Sequence, residues 1–362
     1  MGKAIKKFVF QLFAGANITT IIAMLLVGYA DRFNPALHPS LSSMGLLLPV
    51  MISINLGFLV FWIFFHLKLV WIPLLGFLAC YQPIRVYFPI NLPKQTPEGA
   101  IKVLSYNVWF FGGNGFEHEN NPVLNFIKEQ SADIVCLQES DAWGKYAAKA
   151  KAQMDSLYPY HAGSHAKNKG DIMDIYSRHP IISQEDINYP SEGNHSTAFY
   201  LNIKGDTVIV INNHLESIGL SLEDKANFKG VVKGNIKGEL AQISTKTLIK
   251  KLGEASRLRA AQADAIAQYI AAHRDKSVIL CGDFNDGPNS YTRRTIAKQL
   301  RDCYVETANG PGISYHLGGF YVRIDHMMCS KDWTPYNCKV DNKIKASDHY
   351  PIYCWLKKAP NA

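Results

Sequence analysis

The N-terminal quarter of this sequence is short of charge. Residues 8–30 contain no charged side chain over 23 positions, and residues 44–65 contain none over 22. Each stretch is long enough to cross a hydrocarbon core of ~30 Å as a helix. A third stretch, residues 69–84, holds 16 uncharged residues, with Pro83 near its end. It is either a short third span or an interfacial helix, and its hydrophobicity favours the span.

The sequence also has no fixed-period repeat and no low-complexity tract, so it predicts neither a solenoid nor a largely disordered chain. Its 362 residues are 48% hydrophobic and 19% charged, which is the balance of a folded protein. Two prolines and a glycine mark residues 91–100 as a linker, after which the composition becomes that of a soluble domain. We therefore predict a membrane anchor over residues 1–90, a linker over 91–100 and a soluble domain over 101–362.

The first apolar stretch could be a cleaved signal peptide or a retained anchor. Its lysine-rich start fits a signal peptide, but the apolar region exceeds the usual ~7–15 residues and another apolar stretch follows. A retained anchor is therefore predicted, with spans at about residues 8–30, 44–65 and 69–84.

Basic residues near the apolar stretches bear on orientation. Those that favour a cytoplasmic N-terminus outnumber those that weakly oppose it: Lys3, Lys6, Lys7 and Lys68 against Arg32, Arg85 and Lys94. Three spans then place residue 101 outside the cytoplasm, and two spans place it inside. The prediction is an integral protein of a bacterial inner membrane, with its soluble domain outside the cytoplasm.

The soluble domain shows an alternation of strand and helix patterns. Residues 101–108, 122–130 and 134–137 predict strand, helix and strand. Further strands are predicted at residues 172–176, 198–203, 207–212, 278–281, 322–328 and 352–356. Many strands with few helices between them favour an α/β fold of two packed sheets covered by helices.

Polar side chains follow several of the apolar runs, at the point where each predicted strand ends. Such strand ends are where α/β enzymes place their chemistry. The side chains include oxygen ligands suited to a divalent cation and two histidines suited to proton transfer. They are Asn107, Glu139, His214, Asp283, Asn285, Asp325, Asp348 and His349.

A basic segment separates two of these strand ends. Residues 223–259 contain nine Lys or Arg against four Asp or Glu, within about sixty mostly helical residues between His214 and Ser277. Four lysines recur at every fourth position and would form one stripe if the segment were helical: Lys225, Lys229, Lys233 and Lys237. Such a stripe is either a solvated face or a surface that meets anionic lipid or a polyanionic substrate.

Seven short motifs occur in a fixed order along the soluble domain: Leu104-Ser105-Tyr106-Asn107, Asp133-Ile134-Val135-Cys136-Leu137-Gln138-Glu139, Ser177-Arg178-His179-Pro180, Asn213-His214-Leu215, Gly282-Asp283-Phe284-Asn285, Arg323-Ile324-Asp325-His326 and Ser347-Asp348-His349. Together they resemble the endonuclease/exonuclease/phosphatase superfamily, which includes DNase I, apurinic endonucleases, inositol-polyphosphate 5-phosphatases and neutral sphingomyelinases. The resemblance covers residues 101–356. It implies a four-layer αββα sandwich of two mixed sheets and Mg²⁺-dependent hydrolysis of a phosphate ester, with Mn²⁺ as an alternative ion.

The resemblance also implies roles for single residues. Glu139 is the expected metal carboxylate, with Asn107 and Asp348 close to the ion. His349 is expected to bond Asp325, while Asp283 positions or deprotonates water and Asn285 holds a phosphoryl oxygen. The general base and acid stay unassigned among Asp283, His214 and His349.

Two positions distinguish branches of the superfamily. Apurinic endonucleases carry asparagine at the position of His214, so abasic-site repair is less expected here. Many members carry an arginine in the strand before the Asn-His motif, whereas residues 194–197 offer none.

Three functions remain at this point. The favoured one is a membrane-tethered phosphodiesterase or phosphatase acting on a lipid headgroup or another phosphate ester near the bilayer. A DNase I-like nuclease is the alternative; the net charge of +8 supports a nucleic-acid partner weakly. A non-catalytic binding module is least expected, because the acid, amide and histidine set is complete.

Overall fold

The computed structural model describes residues 2–166, 171–317 and 319–359. In these ranges the helices are α1 Gly2–Gly28, α2 Pro39–Ser42, α3 Leu48–Phe65, α4 Trp71–Ala79, α5 Tyr81–Tyr87, α6 Trp109–Gly112, α7 Pro122–Gln130, α8 Ala147–Leu157, α9 Leu222–Val232, α10 Gly238–Ala272, α11 Tyr291–Ala297 and α12 Cys303–Thr307. The strands are β1 Ile101–Asn107, β2 Ile134–Gln138, β3 Tyr160–His165, β4 Ile172–Ser177, β5 Ile181–Asp186, β6 His195–Ile203, β7 Asp206–His214, β8 Ser277–Asp283, β9 Arg301–Asp302, β10 Asp325–Cys329, β11 Trp333–Val340 and β12 Ile352–Lys358.

The strands form two six-stranded sheets. The first has the order β11-β12-β1-β2-β4-β3, and the second has the order β5-β6-β7-β8-β10-β9. β1 and β2 run parallel, as do β7 and β8, while the other paired strands run antiparallel. Both sheets are therefore mixed, which confirms the predicted class.

Three apolar clusters hold the sheets and helices in four layers. The cluster between the sheets includes Val103, Cys136, Phe199, Val210, Ile279 and Met327, all fully buried. On the outer face of the first sheet, side chains of β1 and β2 pack with α7 and α8. On the outer face of the second sheet, side chains of β7 and β8 pack with α10 and α11. This is the predicted αββα sandwich, with alternate strand residues facing the helices and the other sheet.

The strand predicted over residues 322–328 begins later than expected. The structure places β10 at Asp325–Cys329, so the residues before Asp325 approach it as an irregular segment. Ser314 fixes this entry, because its hydroxyl oxygen accepts from the backbone N–H groups of Ile324 and Asp325, each at 3.0 Å. Asp325 thus stands at the first position of a strand.

Two N-terminal helices are long and apolar enough to cross a membrane, at Ala4–Gly28 and Pro39–Phe65. A third apolar segment runs from Leu67 to Tyr87 but bends by 64° between α4 and α5, and it makes three candidates if the bent pair is one span. α1 and α3 share buried polar contacts. The Asn17 amide donates to Asn55 Oδ1 at 3.1 Å, and Trp62 Nε1 donates to Asn17 Oδ1 at 3.0 Å.

The sandwich packs directly on two parts of the N-terminal region, the segment between α1 and α3 and helix α5. Near the α1–α3 connection, Arg294 Nε lies 3.5 Å from Asp31 Oδ2. At the end of α5, Asn289 donates to the Pro83 carbonyl at 3.1 Å, and Arg323 donates to the Val86 carbonyl at 2.5 Å. A Cβ on Gly45 would lie 2.4 Å from the Asn289 carbonyl oxygen, so this approach requires glycine.

The basic segment does not form one continuous stripe. α9 ends at Val232, Gly234 has φ of 71°, and α10 begins only at Gly238. Lys233 and Lys237 therefore lie in the turn between two helices, while Lys225 and Lys229 stay on α9. The condition for a four-lysine stripe, one continuous helix, is therefore not met, because this glycine-containing turn interrupts the periodicity.

Candidate active site

Strand pairing brings the predicted polar residues to one edge of the two sheets. In the first sheet, Asn107 at the end of β1 lies opposite Gln138, the residue before Glu139. In the second sheet, Asp283 at the end of β8 lies opposite His214 on one side and Asp325 on the other. Parallel strands end at the same edge, so each sheet contributes carboxylate or amide groups there.

Asn107 connects the two sheets at this edge. Its amide nitrogen donates to Glu139 Oε1 at 3.0 Å and to Asp283 Oδ2 at 3.2 Å. Two carboxylates from different sheets thus converge on one amide. Glu139 has φ of 51°, an uncommon backbone conformation for a residue with a Cβ, and 24% of its side chain is exposed. The turn after β2 therefore directs this carboxylate into an accessible site.

Gly282 explains how Asp283 reaches the edge. Its φ is 131°, and a Cβ at this position would lie 2.0 Å from the Asn213 carbonyl oxygen of the neighbouring strand. Only glycine fits between the two backbones, so the first residue of the Gly282-Asp283-Phe284-Asn285 motif is required by packing.

His214 lies among three carboxylates. Its Nδ1 is 2.8 Å from Asp171 Oδ2, and its Nε2 is 3.7 Å from Asp283 Oδ2 and 3.8 Å from Glu139 Oε1. Burial opposes a charge on this imidazole, but the nearby carboxylates, Asp171 foremost, outweigh burial and raise the pKa of His214 to about 10. Its charged form is the stable one at neutral pH.

His349 has a similar environment on the other side of Asp283. Its Nδ1 is 2.9 Å from Asp325 Oδ2, as predicted, and its Nε2 is 3.5 Å from Asp283 Oδ2. Burial again opposes the charge, yet Asp325 and Asp283 raise the pKa of His349 to about 10. The backbone of His349 is held by Ser347, whose hydroxyl accepts from its N–H at 3.1 Å and donates to the Asn107 carbonyl at 2.8 Å.

Asp283 is the shared partner of both histidines. Burial raises its pKa to about 6, against the opposing effect of His349. Its Oδ1 accepts from the Asn285 backbone N–H at 2.7 Å. Asn285 itself has φ of 50°, and its side-chain amide donates to the Leu215 carbonyl at 2.9 Å. One N–H of the Asn285 side-chain amide is therefore used within the protein, and the amide nitrogen carries a second N–H that can donate to an anion.

Asp348 is half-buried, and it is connected to the rest of the site through Ser347. Ser347 Oγ lies 3.4 Å from Asp348 Oδ1 and donates to the Asn107 carbonyl. The Asn107 amide donates to Glu139 and Asp283 rather than to Asp348. The role of Asp348 as a metal ligand stays a prediction, as do the roles of the other site residues.

Two sets of donors could hold a divalent cation. In one, Asp283, Asp325 and His349 each offer a ligand atom, and these atoms lie within 4.8 Å of one another. Both ring nitrogens of His349 already face carboxylates of this set, Nδ1 toward Asp325 at 2.9 Å and Nε2 toward Asp283 at 3.5 Å. The other centres on Glu139, whose partly exposed carboxylate suits a hard cation; Asn107 lies beside it but turns its amide nitrogen to Glu139, while its oxygen accepts from the Trp109 N–H at 3.1 Å.

Asp171 was not identified from the sequence, although it belongs to the site. Besides facing His214, it accepts from the Glu139 backbone N–H through Oδ1 at 3.1 Å. Its own backbone bonds to Ala166 and Gly193, which fixes its position before β4. A polar residue next to the predicted strand at residues 172–176 was the available signal.

The strand before the Asn-His motif, β6, begins with His195 and contains no arginine. His195 pairs with His214 across β6 and β7, and its Nε2 contacts Ser164 Oγ at 2.9 Å. Burial lowers the pKa of His195, so it is neutral at pH 7. β6 therefore supplies no fixed cation to the site.

Comparison with known families agrees with this geometry. A family model described as "Endonuclease/Exonuclease/phosphatase family" matches residues 104–349. The chain belongs to this family. A second model, of a domain of unknown function, matches residues 9–87, and a search of the curated proteins gives no match.

Several solved structures of low sequence identity are similar to the chain. The catalytic domain of human nocturnin, solved with a bound sulfate anion, has a TM-score of 0.51 at 16% identity, covering 73% of this chain and 97% of that one. A truncated TDP2 of Caenorhabditis elegans has a TM-score of 0.48 at 16% identity, covering 73% and 99%. A mannosyl-6-phosphatase of Bacteroides thetaiotaomicron has a TM-score of 0.44 at 17% identity, covering 71% and 99%. At these identities the similarity concerns the fold alone.

Proposed function

We propose that this protein is a membrane-anchored hydrolase of phosphate esters that depends on Mg²⁺, with Mn²⁺ as a substitute. The observation that carries the proposal is the convergence of Glu139 and Asp283 on the Asn107 amide, with a histidine on each side of Asp283. Family membership supports the reaction class. A cation held by Glu139 and Asn107 would neutralise the negative charge of the phosphate.

The side chains of the site are assigned two functions, one toward the attacking water and one toward the phosphate. Asp283 faces both imidazoles through Oδ2 and is assigned to orient a water molecule and accept its proton. The charged His214 and His349 are assigned to hydrogen-bond the phosphoryl oxygens, where negative charge accumulates as the ester is attacked. Asp325 keeps His349 oriented through the 2.9 Å contact to Nδ1, and Asn285 is assigned to donate its second amide N–H to the same phosphate.

The packing of the sandwich on the N-terminal helices supports a three-span anchor. The domain contacts the chain near Asp31 and Gly45, before α3, and again at Pro83 and Val86, after α4. One folded domain lies on one side of a bilayer, so both contact regions must lie on that side. If α3 crosses the membrane, the segment Leu67–Tyr87 must cross back despite its bend.

Orientation follows from the basic residues. With three spans, the N-terminal lysines and Lys68 lie on one side and the catalytic domain on the other. The larger share of basic residues in the short flanks favours the cytoplasm for the first side. We therefore place the catalytic domain outside the cytoplasm.

The anchor lies beside the catalytic loop, which favours a substrate at the bilayer. Gly287 and Asn289 follow Asn285 closely in sequence; a Cβ on Gly287 would lie 3.6 Å from Leu46 Cδ2, and Asn289 donates to the Pro83 carbonyl at 3.1 Å. Confinement near the membrane raises the effective concentration of membrane-embedded substrates. A phosphate ester of a lipid headgroup is therefore the proposed substrate class.

The test uses the full chain in detergent or in reconstituted vesicles. Phospholipid vesicles, inositol phosphates, single- and double-stranded DNA and RNA are supplied side by side with Mg²⁺. The expected result is hydrolysis of a vesicle-borne phosphate ester that excess EDTA abolishes. Glu139→Gln should abolish hydrolysis, while Glu129→Gln, a change on α7 outside the site, should not. Preferential cleavage of DNA or RNA would establish the nuclease alternative instead.

A further inference from the structure

We propose that Lys225 of the helical segment after β7 forms an anion-binding subsite with Tyr315, which holds an anionic oxygen of the substrate or of the phosphate product. This inference rests on the proposed function, because it assigns a further residue to the same active site. Lys225 is half-buried, and its ammonium donates to the Tyr315 hydroxyl at 3.0 Å. It also lies 5.7 Å from the centre of the Tyr315 ring.

Tyr315 is a fixed neighbour of His349. The two residues pair through an isolated β-bridge, and their ring centres are 5.1 Å apart in an edge-to-face arrangement. Tyr315 also pairs with Val322. One aromatic ring therefore separates the ammonium of Lys225 from an imidazole that faces Asp283.

Specific contacts hold α9 in this position. Ser221 and Asp224 form a capping box at its N-terminus, and Asp224 pairs with Lys251 of α10 at 2.6 Å. Phe228, one turn beyond Lys225, stacks on Phe320 with ring centres 4.4 Å apart. α9 is therefore tied both to α10 and to the segment that leads into β10.

The charge of Lys225 has no acidic partner in the part of the chain that the structure describes. Lys251, by contrast, is paired with Asp224. The Lys225 ammonium is held by the Tyr315 hydroxyl, next to His349, and none of the described carboxylates pairs with it there. Such an ammonium is suited to an anionic ligand that completes its hydrogen bonds.

The experiment measures binding of inorganic phosphate, the product common to phosphomonoesters, by the full chain in detergent with Mg²⁺, using titration calorimetry. Loss of a charge-assisted hydrogen bond is expected to weaken binding by about tenfold or more in Lys225→Met. Lys225→Arg should restore most of the affinity. Lys229→Met is the matched control, since Lys229 is exposed on the same helix one turn further on.

The outcomes separate this inference from the proposed function. Weakened binding in Lys225→Met, with the melting temperature unchanged and Lys229→Met unaffected, supports the subsite. Phosphate binding by Lys225→Met equal to that of the unaltered chain would overturn it and leave the proposed function intact. Equal losses in Lys225→Met and Lys229→Met would also overturn it, because they would indicate only diffuse surface charge. If the unaltered chain binds no phosphate, the subsite is overturned, while the proposed function is decided separately by hydrolysis and its loss in Glu139→Gln.

Discussion

Asp171 Oδ2 lies 2.8 Å from His214 Nδ1, and the other oxygen of the same carboxylate accepts from the Glu139 backbone N–H at 3.1 Å. The Asp171 side chain thus orients two groups. One is the His214 imidazole, which is assigned to the phosphate, and the other is the turn that presents Glu139, the proposed metal carboxylate. The His214–Asp171 pair is similar in distance to the His349–Asp325 pair, whose atoms lie 2.9 Å apart, although only the latter was predicted from the sequence. Two imidazoles, each with its own aspartate, flank Asp283.

We predict that Asp171→Asn lowers kcat by about a hundredfold without loss of the fold, because the imidazole loses its orienting charge. The carboxylate raises the pKa of His214, so its removal lowers that pKa. As the pH rises, activity that requires the charged imidazole should then be lost at a lower pH than in the unaltered chain. The alkaline limb of the pH–rate profile should therefore move toward neutrality.

Asp174→Asn is the control for this variant. Asp174 lies on β4 and contacts His161 and Ser140 rather than His214. A pH–rate profile recorded for both variants decides the point. An unchanged profile in Asp171→Asn would show that the aspartate does not govern His214.

The two possible metal sets make opposite predictions. If Glu139 holds the ion, Glu139→Gln should abolish Mn²⁺ binding detected by electron paramagnetic resonance, because the principal anionic donor is lost. His349→Gln should retain binding while losing activity. If Asp283, Asp325 and His349 hold the ion, His349→Gln should weaken Mn²⁺ binding and Glu139→Gln should leave it nearly intact.

The sequence predicted the interior strands of the sandwich and missed the edges. β3, β5, β9 and β11 were not identified, and these four strands lie at the four sheet edges. β5 shows the cause, since five of its six residues are exposed and the sixth is half-buried. A strand with so little buried surface has no apolar run or alternation from which to predict it.

The site was predictable where residues sit at interior strand ends, as with Asn107, His214 and Asp283. The contribution of Asp171 depends on the pairing of β2 with β4 in the first sheet and on the packing of that sheet against β7 of the second, which local patterns do not contain. The role proposed for Lys225 is likewise not contained in local patterns, because the four-residue spacing of the lysines suggested a continuous helix. Its contact with Tyr315 depends on a tertiary fold in which α9 packs near β10.

Membrane topology is open to a direct test. Three crossings predict that labels at Leu37 and Gln95 react from the same side of the membrane, and that a label at Lys68 reacts from the opposite side. The native cysteines are all buried, so single cysteines introduced at these positions can be read with an impermeant reagent. Opposite sides for Leu37 and Gln95 would mean that the Leu67–Tyr87 segment does not cross.

Arg323 connects the catalytic domain with the anchor. Its guanidinium donates to the Val86 carbonyl at 2.5 Å and to the Pro311 carbonyl at 2.7 Å, and it lies 4.3 Å from the centre of the Tyr304 ring. The side chain is almost fully buried, and two residues later the chain reaches Asp325. Removing the guanidinium would leave two buried carbonyl groups without donors.

Arg323→Met is therefore expected to destabilise the full chain by about 2 kcal/mol, which corresponds to a loss of roughly 4–8 °C in melting temperature. Arg178→Met, on the partly exposed side of the first sheet, should change the melting temperature little. Both variants are compared by thermal unfolding in the same detergent.

Because Asn289 and Arg323 bond to the anchor, a fragment beginning at Ile101 should also melt lower than the full chain. Equal melting temperatures for the fragment, Arg323→Met and the unaltered chain would show that the anchor does not support the catalytic domain.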